Sequence, residues 1–456
     1  MQRAIGVAAA AVLMSFAGGQ QLSVNVDVGS GRAAPLDVAA LLAAAHGAPP
    51  LICSLAAQSV RNYGWGNWSD APVTPLGRRD SLGDRDQRNG RFPAADVERL
   101  LAGLASEDAC VRELAIRLLG SQKDDEVARG LVERLGASEV ALREVAAFGL
   151  GMMQPASAVD PLIRALRDAA AGVRANAAWA LGRIENGRAL GPLVALFQDS
   201  DERVREAAVG AAGRMDSTST VAALMRVLQQ DPAPSVRRVA AWALGKLESR
   251  EAAEALAGVL ARDSDAQVRE MSAWALGNME GRVAVAALAT ALGRDADDRV
   301  RETAAWALGQ AGDRSQVGVL ASAAADDRSS RVRGTAAWAI GQLHGDGGGS
   351  APAGLLRVLK DDGEDARLKA AWALGQIGDA ATLTPIRDAL RTETSSQVRR
   401  ALIRALIKSG GRSEQTLTEL LSSSDPQVRE AAVRGLAGNN SFNPWPWPWP
   451  RPRPFP

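Results

Sequence analysis

A ten-residue unit, Val-Arg-x-x-Ala-Ala-Trp-Ala-Leu-Gly, recurs roughly every 32 residues and limits the available folds more than any other feature of the chain. Its copies begin at Val111, Leu142, Val173, Val204, Val236, Val268, Val300, Val332, Ala366, Val398 and Val428. All eleven carry the arginine, including Arg174, Arg205, Arg237, Arg269, Arg301 and Arg333. Each period holds two helical patterns. The second, here called the B helix, starts at the Val-Arg motif and is commonly preceded by a cap three residues earlier. Asp108, Asp201, Asp265, Asp297, Ser329, Ser395 and Asp425 occupy that place. The closing glycine and the turn after it are expected to end the helix. An A helix follows, as in 158–168 and 381–390. One such pair cannot bury its apolar face alone, so the pairs must stack.

The motif resembles HEAT repeats, in particular the short subclass named after phycobilisome (phycobilin) lyases. The resemblance covers about residues 94–438 and implies an all-α, right-handed α-solenoid of about eleven HEAT-like helix pairs. Function is less constrained, since the resemblance spans scaffolds, chromophore lyases and iron hydroxylases. The hydroxylase branch, similar to deoxyhypusine hydroxylase, needs several His-Glu pairs as iron ligands. Here the two histidines, His46 and His344, both precede glycine, which excludes that branch.

Counting the valine as slot 0, slots 0, 4, 7 and 8 form the stripe that faces helix A, at ~100° per residue. Slot 1, the arginine, lies at the edge of that stripe, within reach of the adjoining repeat. An inter-repeat ladder to carboxylates and loop carbonyls is expected there. Slots 2 and 6 point away from helix A. Slot 6 is Trp179, Trp242, Trp274, Trp306, Trp338 and Trp372. Slot 2 is often acidic, as in Glu113, Glu144, Glu206, Glu270, Glu302 and Glu430. Two readings follow. Each indole packs over the small residues of the neighbouring repeat, or the row forms a concave recognition groove of indoles and carboxylates. The two are compatible, because a ring packed on one face still offers the other.

The rest of the chemistry is sparse. With 53 basic and 52 acidic residues the net charge is +1, which gives no field to attract nucleic acid. Two His and two Cys build no multi-ligand metal site, so no metal, cofactor or catalytic residue is expected, and the chain reads as a non-enzyme.

Outside the repeats the chain divides into short pieces. Residues 1–17 read as a signal peptide, with Arg3, an apolar run and Ser15-Phe16-Ala17 at the cleavage site, so export to a periplasmic or extracellular space is expected. Residues 18–34 read as a disordered or extended segment, 35–62 as an N-terminal helical cap and 63–93 as a linker or loop. Export would permit a Cys53–Cys110 disulfide; two buried free thiols are the competing reading. Residues 439–456 form a Pro/Trp/Arg-rich tail that exposes Trp445, Trp447 and Trp449, then Arg451 and Arg453, on a polyproline II strand. Such a strand suits an aromatic groove, in cis or in trans, or a membrane surface. A protein or extended peptide is the expected partner of the solenoid. The other functions considered are a lyase-type accessory protein, similar to phycobilin lyase subunits, and the sensor portion of a membrane-linked system.

Overall fold

The computed structural model describes residues 37–49, 92–120, 122, 124–279, 284–344 and 349–410, with scattered positions between 418 and 433. The signal segment, residues 18–34, the second half of the cap, most of the linker, Cys53 and the Pro/Trp/Arg tail lie outside the described residues. Among the described residues every regular element is helical, in alternating A and B helices. The B helices include Ala109–Gly120, Val140–Met153, Ala171–Ile184, Glu202–Arg214, Pro234–Lys246, Ala266–Asn278, Asp298–Gln310, Ser330–His344, Glu364–Ile377 and Ser396–Lys408. The A helices are shorter, for example Val159–Ala165, Val221–Gln230 and Ala253–Arg262, and often open on a 3₁₀ turn such as Ala156–Ala158 or Arg250–Ala252. The chain is an all-α solenoid.

Stacking follows from residue size. The slot 4, 7 and 8 residues, such as Ala240, Ala243 and Leu244, are fully buried and join one core that runs through every pair. At its N-terminal end the helix Val38–Ala45 packs Leu41, Leu42 and Ala45 on Cys110, Val111 and Leu114. Asp37 caps that helix through the Ala40 N–H, and the Gly47 N–H donates to Asp108 Oδ2 at 2.7 Å. Cys110 is disulfide-bonded, and the chain holds one other cysteine, Cys53.

In the B helices after Ala109–Gly120 the closing glycine does not end the helix. Helix Glu202–Arg214 runs past Gly213, and helix Val140–Met153 runs past Gly151 to a left-handed cap at Gln154. The left-handed residue stands three places after the glycine, as Gln154, Glu185, Asp216 and Glu248, then Gly312 and Gly378; Gly410 holds the same place after Ile407. The glycine inside the helix serves close approach instead. A methyl group at Gly182 would lie 2.6 Å from both Cα and Cβ of Ala211 in the next B helix. On the A side, positions such as Gly191, Gly293 and Gly318 have nothing within 4 Å, although Gly354 does abut Ala321. The B helices thus meet one another at backbone contact through these glycines, and closer spacing on the B side is the geometry that makes the B layer the inner face of a solenoid.

Candidate inner-face site and the arginine ladder

The slot 1 arginines from Arg143 to Arg367 each reach the following repeat with a two-pronged hydrogen bond to carboxylate oxygens. Arg174 Nε and Nη2 donate to Asp199 at 2.8 and 2.7 Å, Arg205 to Asp231 at 2.7 and 2.9 Å, and Arg237 to Asp263 at 2.7 and 2.9 Å. Arg269 pairs in the same way with Asp295, Arg301 with Asp327, and Arg333 with Asp361 and Asp362. Nη1 of each turns back to its own loop, as from Arg301 to the carbonyls of Asp295 at 2.9 Å and Ala296 at 3.2 Å. The same aspartate also accepts from a backbone N–H two residues on, as Asp295 does from Asp297. Side chain and carbonyl of one aspartate thus bind two successive arginines, and the ladder is continuous. These aspartates stand six residues before their own repeat's arginine, a spacing present in the sequence but hidden behind the more familiar caps. Of those caps, Asp201, Asp265, Asp297 and Ser395 bind helix-start N–H groups, whereas the Ser329 hydroxyl donates to Asp298.

The ladder sets an acid limit on stability. Burial pushes the Asp263 and Asp295 carboxyls up, but hydrogen bonds from Arg237 and Arg269 outweigh it and hold both below the usual range. In Asp361 burial is likewise overcome, by Arg333, Ser330 and the Gly363 N–H, and the value falls to about 2. A carboxyl depressed in the folded state stabilises fully above its unfolded value of ~4, and this is lost as pH falls through the folded value. Melting temperature should therefore be flat from about pH 7 to 5 and fall steeply between about pH 4 and 2. Circular dichroism melts across that range read it directly; a plateau down to pH 3 would contradict the ladder.

The slot 6 indoles pack between repeats. The Cζ3 edge of each lies over the closing glycine of the preceding B helix. A methyl at that glycine would sit 2.5 Å from Trp179 Cζ3 at Gly151, 2.6 Å from Trp306 at Gly277 and 2.7 Å from Trp372 at Gly341. Trp179, Trp306 and Trp338 are buried, while Trp242, Trp274 and Trp372 are half-buried. Neighbouring rings stack where both are present: Phe148 on Trp179 with centroids 5.1 Å apart, and Trp338 on Trp372 at 6.4 Å. Arg183 lies 5.4 Å over the Trp179 ring, and Arg214 and Lys246 lie 5.9 and 5.8 Å over Trp242, at cation–π distance.

The slot 2 carboxylates sit one turn away. Glu206, Glu270 and Glu302 are half-buried. Glu302 accepts from Thr335 Oγ1 at 3.4 Å and lies 3.6 Å from Arg331 Nε. Burial raises the Glu144 carboxyl, with Arg203 and Arg143 pulling against it. In the first repeat Glu113 is buried and ion-paired with Arg117, which takes the indole slot there. What the described inner face carries is a lane of carboxylates interrupted by Arg238, beside half-buried indole edges and the cations that lie over them. Among the described residues no three His, Cys, Asp or Glu side chains converge as a metal site, and no helix is long and apolar enough to cross a membrane.

A family model described as HEAT repeats matches residues 128–212, 190–277, 255–341 and 347–407, together more than half of the chain. No curated protein matches the sequence. Among solved structures, the complex of Kap95p with RanGDP is 15% identical with a TM-score of 0.54, covering 75% of this chain and 55% of that one. Importin beta, in an ammonium sulfate condition, is 14% identical with a TM-score of 0.53, covering 75% and 57%. This chain thus spans just over half the length of those two, and the likeness shows the solenoid fold. Human deoxyhypusine hydroxylase in complex with glycerol is 25% identical over 55% of this chain and 96% of its own, with a TM-score of 0.27.

Proposed function

The chain belongs to the HEAT-repeat family, and we propose that it is a non-catalytic scaffold whose inner face binds a protein or an extended peptide. The observation that carries this reading is the row of half-buried carboxylates, Glu206, Glu270 and Glu302, beside Trp242, Trp274 and Trp372. The ladder arginines are consumed within the stack, and the inner face presents these carboxylates and indole edges, with Arg214, Arg238 and Lys246 among them, to a partner that carries basic and aromatic groups. Kap95p, which binds RanGDP, is an instance of protein recognition on the same fold. Within the family we place the repeat in the short phycobilisome-lyase-like subclass, on the Val-Arg-x-x-Ala-Ala-Trp-Ala-Leu-Gly unit. We also assign the chain to an exported compartment, where a Cys53–Cys110 disulfide would tie the first repeat to the segment before it.

Trp306 and Trp338 belong to the core, so the test uses the carboxylates. Wild-type protein and Glu206→Lys/Glu270→Lys/Glu302→Lys are compared as bait in the native source, with melting curves for both. The variant is expected to melt like wild type and to lose the wild-type partner. Retention of that partner by a folded variant sinks the reading. Intact mass of the recovered bait reads the loss of residues 1–17 and of two thiol hydrogens in the same experiment.

A further inference from the structure

The indole row has one vacancy. Slot 6 of the repeat that begins at Val204 is Gly210, half-exposed and flanked by the repeats that carry Trp179 and Trp242. At six steps of the stack, from Gly151 and from Gly213 through Gly341, the closing glycine lies under the next repeat's indole. At Gly182 its three nearest neighbours are all atoms of Ala211 and no ring covers it. A methyl at Gly210 would meet one atom, Val239 Cγ1 at 3.6 Å, so the place of the missing ring is open.

The walls of this notch suit an incoming aromatic. Arg183 over Trp179 and Arg214 over Trp242 place a guanidinium on each side. Trp179 is 3% exposed, and its Nε1 has no hydrogen-bond partner. Its Cζ3 edge faces Gly151 in the preceding repeat, and Nε1, on the opposite edge, is itself buried. Glu206 stands one helical turn before Gly210, with Glu144 and Glu270 on the same lane.

We propose that the notch at Gly210 receives a tryptophan from the segment Pro444–Pro450 of a second copy of this chain. The proposal rests on the inner face being a binding surface. That segment repeats Pro-Trp three times, offers backbone carbonyls that no internal ladder uses, and is followed by Arg451 and Arg453 to meet the Glu lane. Burying one indole between two guanidiniums supplies the aromatic anchor. Reach favours the second copy. Val433 is helical, and Trp449 is 16 residues beyond it, ~50 Å at the polyproline II rise and ~58 Å at full extension. The repeat at Val204 is seven repeats before that at Val428, roughly 55–70 Å along the inner face at ordinary helix spacings. Pairing of segment with notch is head-to-tail, and it grows chains or closes a ring.

Complementation tests this in the full chain. Sedimentation velocity is run on wild type, on Gly210→Trp, which fills the notch, and on a deletion of 441–456. Wild type should associate with rising concentration. Each variant alone should associate about thirtyfold more weakly or less, the loss expected of one buried aromatic anchor. The two variants mixed should form a one-to-one pair, since one keeps the segment and the other keeps the notch. Trp445→Ala/Trp447→Ala/Trp449→Ala should behave like the deletion, and its changes lie outside the repeats. A monomeric wild type, a Gly210→Trp protein that associates normally, or a mixture that stays monomeric overturns the proposal. If Gly210→Trp still captures the partner lost by the triple Glu variant, the inner-face reading survives the failure of the notch.

Discussion

Arg301→Met is expected to destabilise the protein by about 3–5 kcal/mol, the usual cost of stranding one half of a buried ion pair. Arg301 is 4% exposed, and its loss leaves the Asp327 carboxylate with the Ser329 N–H alone and takes the arginine donor from the Asp295 carbonyl, while the Ala296 carbonyl keeps Arg328. Arg331→Met is the control. Its pair with Asp298 is about half exposed on both sides, and such pairs contribute about 0–1 kcal/mol. The double variant Arg301→Met/Asp327→Leu should recover most of the loss, because no charge is then left unpaired. Urea titrations of all four proteins decide it. If Arg301→Met costs no more than Arg331→Met, the ladder does not hold the repeats together. Since each repeat touches only its neighbours, the damage should fall at one joint and split the transition into two steps.

Trp306→Ala should cost a similar ~3–5 kcal/mol, by loss of a buried ring and the cavity it leaves. The ring closes the joint between helices Ala266–Asn278 and Asp298–Gln310. Trp372→Ala should cost less, because that ring is only half-buried. Gly277→Ala approaches the same joint from the other side. Its methyl would lie 2.6 Å from Trp306 Cζ3 and 2.9 Å from Ala307 Cα, an overpacking cost of ~1–3 kcal/mol. Combined with Trp306→Ala the total should be less than the sum. Relief is partial, since Ala307 still stands in the way. Equal stabilities of wild type and Trp306→Ala would move the indole out of the core.

The solenoid was legible in the sequence because period and pattern agree: a 32-residue recurrence with one apolar stripe per helix has few other solutions. Details that depend on the neighbouring repeat were not. A helical wheel locates Trp306 relative to its own A helix but contains no second B helix, so it cannot show that Gly277 slides beneath the ring. For the same reason the closing glycine reads as a helix stop, which is its commonest use. The partner of Arg301 is recorded at constant spacing, as Asp327, 26 residues on. Periodicity alone cannot say whether an arginine turns to the aspartate before it or after it. The vacancy at Gly210 is visible once the copies are aligned, but only the distances show that Ala211 and no ring is nearest to Gly182.

Near-identical joints also bear on how the chain finds its fold. From Pro234–Lys246 to Ser330–His344 each B helix meets the next through the same glycine, alanine, indole and arginine. A helix that docks one whole repeat out of place would make almost the same contacts, so the central repeats hold little information about order. The irregular positions supply it: Phe148 instead of an indole, Gly210, Arg117 and Arg404 at the two ends of the row, and the 28-residue step from Arg333 to Asp361. Folding errors in this chain should therefore be slips of a full repeat, and the residues that break the pattern are the ones that correct them.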